Sequence, residues 1–293
     1  MRLPKFVCVT LLMAATLSAT KHAQAEQRRD WMVAPQPAGT YANIDLVFPG
    51  AQLQLEHRIP FYGVANELNI KANVLPTLVF MESQIDADLR LVVLSIGASA
   101  GVRDVFHNIS LDPGARFDRT GRRDIEWGGL SNNQVSGFGE ARATLSLPLN
   151  EHMVFLSVNG LRFEGGPDRT FDWRLGIMRD AGMLFRSDTT LFLKHRKFGA
   201  IGPQVQILNF PLDGVRNTQV NYGFTFTTRP GLRPRNDIFF LSVLVGIGGT
   251  TNGVPTGDVY GNHLFKMPVT FQLAYRTVFE IAGPRRAGDR DND

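Results

Sequence analysis

Four short segments of the chain repeat one charge pattern: an acidic residue, any residue and then arginine. Along an extended strand this spacing places both charges on one face, about 7 Å apart. Neighbouring strands with such pairs form ladders of opposite charges. If the strands enclose a narrow space, the ladders fill it with ion pairs; if the space is wider, they line a passage that favours one sign of charge. The four pairs are Glu56 and Arg58, Asp88 and Arg90, Glu140 and Arg142, and Asp172 and Arg174.

Further charges share the faces of these pairs, and bases outnumber acids among them. This excess predicts a weak preference for anions if the faces line a pore. A solvated strand face with no role in transport is the alternative, because charge on an exposed face needs no special explanation. The additional bases are Lys71, Lys194, Arg196, Lys266 and Arg276, and the additional acids are Glu67, Asp86 and Asp188.

One segment, Gly97 to Gly101, matches the G-x-S-x-G pattern of serine hydrolases, with Ser99 as the nucleophile. That chemistry needs a sharp turn between a strand and a helix. A strand fits here, but the residues from Val102 onward are typical of a loop rather than a helix. We therefore predict no catalytic residue at this motif.

The histidines do not form a metal site. No pair has the H-E-x-x-H spacing, and no cysteine follows the N-terminal segment, so we expect neither a metal nor a cofactor. His57 and His195 lie near segment ends beside apolar residues, where a histidine next to a serine could act as the general base of a lipid hydrolase. The histidines after residue 25 are His57, His107, His152, His195 and His263.

The first 25 residues read as a secretory signal peptide. Arg2 and Lys5 precede an almost wholly apolar run from Phe6 to Ala19, and small residues occupy both positions that signal peptidase inspects in Ala23–Ala25. The run has 14 residues, short of the roughly 20 that a spanning helix needs. We predict cleavage after Ala25, followed by an N-terminal segment over residues 26–40.

Composition excludes several classes of protein. The chain has 293 residues, 43% of them hydrophobic, and one cysteine, so neither a disordered chain nor a disulfide scaffold fits. Removing the signal peptide takes Arg2, Lys5 and Lys21 with it and leaves 28 basic residues against 27 acidic ones. That balance gives no support for a nucleic-acid partner, which normally meets a clustered basic face.

Beyond the signal peptide the hydrophobic pattern has a period of two residues, which is typical of strands. No apolar run reaches the 18 residues of a helical span. The clearest segment alternates Phe271, Leu273 and Tyr275 with Gln272 and Arg276. Counting such segments predicts about 12 strands. The best-defined ones cover residues 52–58, 67–74, 140–147, 172–177, 219–227 and 265–279.

The distribution of residues between the two faces favours a barrel in a membrane. Large apolar side chains run to the ends of one face, while full charges lie in the middle of the other, as expected when lipid lies outside and a polar lumen inside. We predict an all-β chain with a single antiparallel transmembrane barrel over residues 41–280 and a polar tail over 281–293. A soluble secreted β-sandwich also alternates and is the competing interpretation.

The signal peptide and the last strand together resemble bacterial outer-membrane β-barrels, a porin-like architectural class. Phe271, Leu273, Tyr275, Thr277 and Phe279 look like the alternating, aromatic-ended signal by which the barrel-assembly machinery recognises such proteins. The resemblance implies location in the bacterial outer membrane, with the outer face against membrane lipid. The chain departs from the class in one respect, because a polar tail follows the closing strand.

Three functions are compatible with this interpretation. The first is a passive pore for small hydrophilic solutes, the second a lipid-modifying hydrolase, and the third a non-conducting structural or adhesion barrel with a salt-bridged interior. The segment from Asn108 to Val135 could fold into the lumen, cover the barrel or bind a partner. The short connection at 149–151 and the long one from Gly248 to His263 fall at the same end in our count, although they should lie at opposite ends, so one strand is miscounted.

Overall fold

The computed structural model describes most of the chain between residues 38 and 282. The described residues are 38–47, 50–61, 65–77, 80–106, 108–111, 127–131, 134–166, 170–172, 175, 177–195, 198–212, 214–228, 237–256 and 269–282. No helix within these ranges is both long and apolar enough to cross a bilayer. The predicted signal peptide, most of residues 26–40 and most of the polar tail lie outside the described residues.

Twelve antiparallel strands close into one barrel, which confirms the predicted fold class and strand number. Each strand pairs with the next one around the ring, β14 pairs with β15, and β1 pairs with β17 to complete the closure. The barrel strands are β1 (Gly39–Val47), β2 (Gly50–Pro60), β3 (Ala65–Pro76), β4 (Phe80–Leu91), β5 (Leu94–Val105), β8 (Gln134–Asn150), β9 (Met153–Glu164), β12 (Gly182–His195), β13 (Gly199–Leu212), β14 (Val215–Thr228), β15 (Asp237–Thr251) and β17 (Val269–Ala282).

Five short strands lie in the connections. β6 (Asn108–Leu111) pairs with β7 (Trp127–Ser131), and β10 (Thr170–Asp172) pairs with β11 (Ile177–Arg179). β16 (Val254–Thr256) folds back and pairs antiparallel with the end of β15. The segment at 172–177 was predicted as a strand, and that prediction is wrong: β10 ends at Asp172, and Leu175 and Ile177 are buried within the fold. Alternation over so few residues also suits a short hairpin, here β10 and β11.

The two ends of the barrel differ in their connections. The termini end holds the start of β1, the end of β17 and the short turn at 151–152 between β8 and β9. The opposite end, called here the loop end, holds the longer connections over 106–133, 165–181 and 252–268. β15 continues past Gly248 to Thr251, so that loop begins later than expected. Five strands separate the turn at 151–152 from this loop, which places them at opposite ends and removes the discrepancy in the strand count.

The barrel is polar inside and apolar outside. Ile85 on the outer face is 66% exposed, whereas Gln206 on the inner face is 0% exposed. The same contrast runs around the ring, since exposed Leu, Ile, Val and Phe side chains alternate with buried Asn, Gln, Asp and Glu. A soluble β-sandwich buries its apolar face, so this arrangement excludes that alternative and matches a barrel surrounded by lipid.

Candidate functional site in the barrel lumen

Among the described residues, cavities in the lumen are lined by both charged and apolar side chains. The larger, about 730 Å³, extends to the turn between β4 and β5 at the termini end, and the smaller, about 380 Å³, lies toward the loop end. Gln84, Arg142, Leu156 and Val158 line both cavities, so the two spaces adjoin. The lumen is therefore wide enough to hold a small solute or a chain of water molecules.

A group of opposite charges lies at the junction of the two cavities. Lys71 Nζ is 2.8 Å from Asp88 Oδ2, and Arg142 Nη2 is 2.8 Å from Asp86 Oδ1 and 3.3 Å from Asp88 Oδ1. These side chains come from β3, β4 and β8, so each ion pair bridges different strands. Lys71 reaches Asp88 across one strand spacing of about 5 Å, whereas Arg142 reaches across β5, which lies between β8 and β4.

Gly97 on β5 makes room for this group. A β-carbon at Gly97 would stand 1.9 Å from Asp88 Oδ1. The carboxylate can therefore lie against the wall only because this position has no side chain. The conformational freedom of glycine is not needed here, since the backbone is ordinary strand.

Near β1 and β2, Glu56 is surrounded by donors. Arg58 Nη2 is 2.7 Å from Glu56 Oε1, Asn43 Nδ2 donates to Glu56 Oε2 at 2.7 Å, and Asn69 also donates to Glu56. The Arg58 guanidinium in turn lies 5.6 Å from the centre of the Tyr41 ring. The charge of Glu56 is thus fully compensated within the wall.

Six buried charged residues near the loop end form what we term the loop-end cluster. Arg103 lies 2.8 Å from Glu82 and 3.2 Å from Glu164, and Arg162 lies 3.2 Å from Glu82 and 2.9 Å from Glu164. Exposures of the six side chains range from 1 to 7%. Its members are Glu82, Arg103, Arg162, Glu164, Asp172 and Arg179.

The loop-end cluster ties the connection between β9 and β12 to the barrel wall. Asp172 and Arg179 belong to this connection; Arg179 Nε donates to Asp172 Oδ2 at 3.2 Å, and Arg179 also pairs with Glu164. Arg103 Nη1 lies 3.7 Å from Asp172 Oδ2. Asp172 and Leu175 also line the smaller cavity, so this connection folds into the lumen and narrows it.

The opposite wall, formed by β12 to β15, carries amides and hydroxyls around one acid. Gln204 and Gln206 each donate to Asp188 Oδ1, at 3.0 and 2.8 Å, and Arg186 pairs with the same carboxylate. The network continues from Gln206 to Asn221 at 2.9 Å and from Asn221 to Gln219 at 2.6 Å. The lumen thus has a charged wall and a largely neutral polar wall.

The structure keeps some of the predicted acid-x-arginine pairs and separates others. Glu56 and Arg58 pair with each other, but Asp88 pairs with Lys71 and Arg142, and Arg90 pairs with Glu67 at 2.9 Å. Residues two apart on one strand are about 7 Å apart, whereas directly opposite residues on neighbouring strands are only about 5 Å apart. A charged side chain therefore often finds its closest partner on the neighbouring strand.

Glu140 keeps its predicted partner at a longer distance and gains a second one, and Asp172 has new partners. Glu140 lies 3.9 Å from Arg162 Nη1 and 4.0 Å from Arg142 Nε. Asp172 joins the loop-end cluster. Arg174 lies outside the described residues. All members of the predicted network that the structure describes therefore face the lumen, mostly with partners on other elements.

The sequence pattern did not identify most of the loop-end cluster. Arg162 and Glu164 repeat the two-residue spacing in reverse order, as do Arg186 and Asp188, so a search for either order would have found them. Glu82 and Arg103 carry no such signal. Only the register between β4 and β5 places Glu82 opposite Arg103.

The serine motif lies within a barrel strand. Ser99 is in the middle of β5, faces the lumen between Asp86 and Glu140, and its buried Oγ has no hydrogen-bond partner among the described residues. The strand continues through the motif, so the strained turn of a hydrolase is absent there.

The two interfacial histidines lie on opposite walls of the barrel. His57 on β2 forms a hydrogen bond with Thr40, with 2.9 Å between Nδ1 and Oγ1, while the ring of His195 on β12 stacks on that of Phe198. Both face outward near the termini end. Within the described ranges, no group of three or more His, Cys, Asp or Glu could hold a metal. His107 and His263 lie outside those ranges, as does most of the connection from Asn108 to Val135.

No protein-family model matches the chain, and no curated protein matches it at a significant level. Among solved structures, a KdgM porin matches with a TM-score of 0.31 and 10% identity, over 82% of this chain and 99% of that one. OmpT, an outer membrane protein of Vibrio cholerae, matches with a TM-score of 0.34 and 5% identity, over 82% and 95% of the two chains. At these values the matches carry no argument about what this chain does. The closed barrel and its apolar outer face confirm the resemblance to outer-membrane barrels as an architectural class.

Proposed function

We propose that this chain is a bacterial outer-membrane barrel that acts as a passive pore for small hydrophilic solutes. The observation that carries the proposal is the pair of adjoining lumen cavities, about 730 and 380 Å³, with charged and amide side chains in their walls, inside a barrel whose outer face is apolar. In this proposal residues 1–25 direct export, the barrel-assembly machinery inserts the chain, and the outer face contacts membrane lipid.

The proposal includes an orientation. In bacterial barrels the short turns face the periplasm and the long loops face the outside. The termini end therefore faces the periplasm, and the larger cavity opens on that side. The loop-end cluster then forms the constriction, close to the extracellular mouth.

The charges around the larger cavity support a weak preference for anions. Five basic side chains line it, Lys71, Arg90, Arg142, Lys194 and Arg276, against three acidic ones, Glu67, Asp86 and Asp88. A ring of mixed charge with a basic excess lowers the barrier for anions relative to cations. Because most of these charges are paired, the selectivity is modest.

Planar-bilayer recording tests the proposal. The full chain, purified and folded in detergent, is added to a bilayer in potassium chloride, and we expect discrete conductance steps that are absent with boiled protein. A folded protein that inserts, as shown by protection from added protease, and yet leaves the bilayer silent would overturn the pore.

A non-conducting barrel is the second candidate, favoured by the burial of the loop-end cluster. Its six side chains are 1 to 7% exposed, so ion pairs rather than water fill much of the lumen at that level. In that case bilayers containing the folded protein stay silent, and so do bilayers containing variants in which Asp172 and Arg179 are neutralised.

A further inference from the structure

The outer face of β9 and β12 carries polar side chains at mid-height of the barrel. Ser157 and Asn159 alternate with Leu156 and Val158, and it is the two apolar residues that line the lumen cavities. Ser157 and Asn159 therefore point outward, where most of the wall at this height presents apolar residues. The middle of β9 is thus inverted relative to the other strands.

The adjacent strand, β12, also carries polar side chains on its outer face at the same height. Ser187 is paired in register with Asn159, and Thr189 with Ser157. Their neighbour on the same strand, Asp188, faces the lumen, where two glutamine side chains donate to it. Four polar side chains therefore form one contiguous group on the outer face, which we term the outer polar patch: Ser157, Asn159, Ser187 and Thr189.

The outer polar patch does not satisfy its own hydrogen-bonding groups. Asn159 Nδ2 donates to Ser157 Oγ at 3.1 Å, and Ser157 Oγ lies 3.3 Å from Thr189 Oγ1. Within the described part of the chain, the side-chain carbonyl of Asn159 and the hydroxyl of Ser187 have no such partner. Hydrocarbon offers neither donors nor acceptors, so leaving these groups against lipid tails is costly.

Small residues border the outer polar patch on one side. Ala143 on β8 is paired with Asn159. Ala141, also on β8, is paired with Ala98 on β5, and Ala98 is paired in turn with Ala87 on β4. Small side chains allow two membrane-embedded surfaces to approach closely, and Ser, Thr and Asn side chains then hydrogen-bond across the contact. A flat surface of alanines beside an unsatisfied amide has the composition of such a contact.

We propose that this face, the outer polar patch with its bordering alanines, is where two copies of the chain associate side by side in the membrane. A two-fold axis along the membrane normal brings equal depths together, so the mid-height patch of one copy meets the same patch of the other. An asparagine both donates and accepts, and it can therefore pair with its own counterpart. A lipid headgroup cannot reach this depth, which leaves a protein surface as the occupant. The inference does not depend on conduction.

Cysteine cross-linking in lipid vesicles tests the proposal. Cys8 is the only cysteine, so single cysteines are placed in a Cys8→Ser chain. Ala143→Cys lies at the border of the patch, and Leu55→Cys provides a matched control at mid-height on the exposed outer face of β2, on the opposite wall. We expect an oxidant to convert Ala143→Cys, but not Leu55→Cys, into a covalent dimer.

A second variant separates the patch from chance collision. Adding Asn159→Leu to Ala143→Cys should weaken association by about tenfold, or about 1.4 kcal/mol, because the hydrogen bonds across the contact are lost while the apolar area increases. A gel-mobility shift on heating verifies that each variant is folded. Equal cross-linking at both cysteine positions, no dimer at either, or a product whose mass shows a different protein would each overturn the proposal.

Discussion

Arg103 on β5 and Glu82 on β4 are paired in register, with 2.8 Å between Nη2 and Oε2, and both side chains are buried. Neither could remain charged at this depth alone. Arg103→Met should therefore destabilise the barrel by about 3–5 kcal/mol, since it leaves buried carboxylates uncompensated. The measurement is the temperature at which the folded band converts to the denatured band on gels run without boiling.

Arg90 provides the matched control for this prediction. It pairs with Glu67 at 2.9 Å, but its side chain is partly exposed at the termini end of the same wall. Arg90→Met should cost only about 0–1 kcal/mol, as for an ion pair in contact with water. Equal losses of stability in the two variants would show that the buried ion pairs of the loop-end cluster stabilise the barrel no more than a partly exposed ion pair does.

Gly97 should tolerate no added side chain. Its β-carbon would overlap Asp88, so Gly97→Ala must displace the carboxylate from Lys71 and Arg142 and should cost about 1–3 kcal/mol. Gly137 on β8 has no atom within 4 Å of its ideal β-carbon position, and Gly137→Ala should be neutral or stabilising by up to about 1 kcal/mol. Thermal gel-shift midpoints compare the two, and a stable Gly97→Ala chain would contradict the packing described for Asp88.

Much of the barrel could be predicted from the sequence, because a strand with one lipid face and one polar face has a strict period of two. Five of the six best-defined segments correspond to barrel strands, the exception being 172–177. For the same reason, the positions of Glu56, Asp88 and Arg142 in the alternating pattern were enough to place them on the lumen face. Periodicity does not report register, and register decides which ion pairs form.

The inverted middle of β9 shows where such reasoning fails. Leu156 and Val158 alternate with Ser157 and Asn159, and the alternation alone predicts that the two apolar residues face lipid. The phase of the strand is instead set further along, where Arg162 and Glu164 must reach the loop-end cluster. Because side chains alternate strictly, fixing Arg162 inside forces Val158 inside and Asn159 outside.

The position of lipid is tested by placing a charge on the outer face. Ile85 lies in the middle of β4 and is 66% exposed, so Ile85→Arg should cost about 2–4 kcal/mol if that surface faces hydrocarbon. Val135, 65% exposed near the loop end of β8, is the control, and Val135→Arg should cost only about 0–1 kcal/mol. Folding titrations into lipid vesicles give both values. An arginine tolerated equally at both sites would mean that the outer face is in water.

Ion selectivity should depend on the bases at the junction of the cavities. Lys71→Gln together with Arg142→Gln removes two positive charges that line the larger cavity, and the weak anion preference should shift toward cations. Arg216→Gln is the control, because Arg216 lies on the outer face, where it donates to the Met183 carbonyl at 2.6 Å. Reversal potentials in a potassium chloride gradient measure the shift, and an unchanged potential in the double variant would argue that ions bypass this junction.

The connection between β9 and β12 should control the size of the pore. Asp172→Asn with Arg179→Gln removes one charge of each sign, so the remaining four members of the loop-end cluster stay balanced while the connection loses its ion pairs to Arg103 and Glu164. We expect a larger single-channel conductance, because the segment that narrows the lumen is no longer fastened to the wall. Glu56→Gln with Arg58→Gln is the matched control, since it also removes one balanced pair but on β2, away from this connection. If both double variants conduct like the original chain, the connection does not set the constriction, and the narrowest point must lie elsewhere in the lumen.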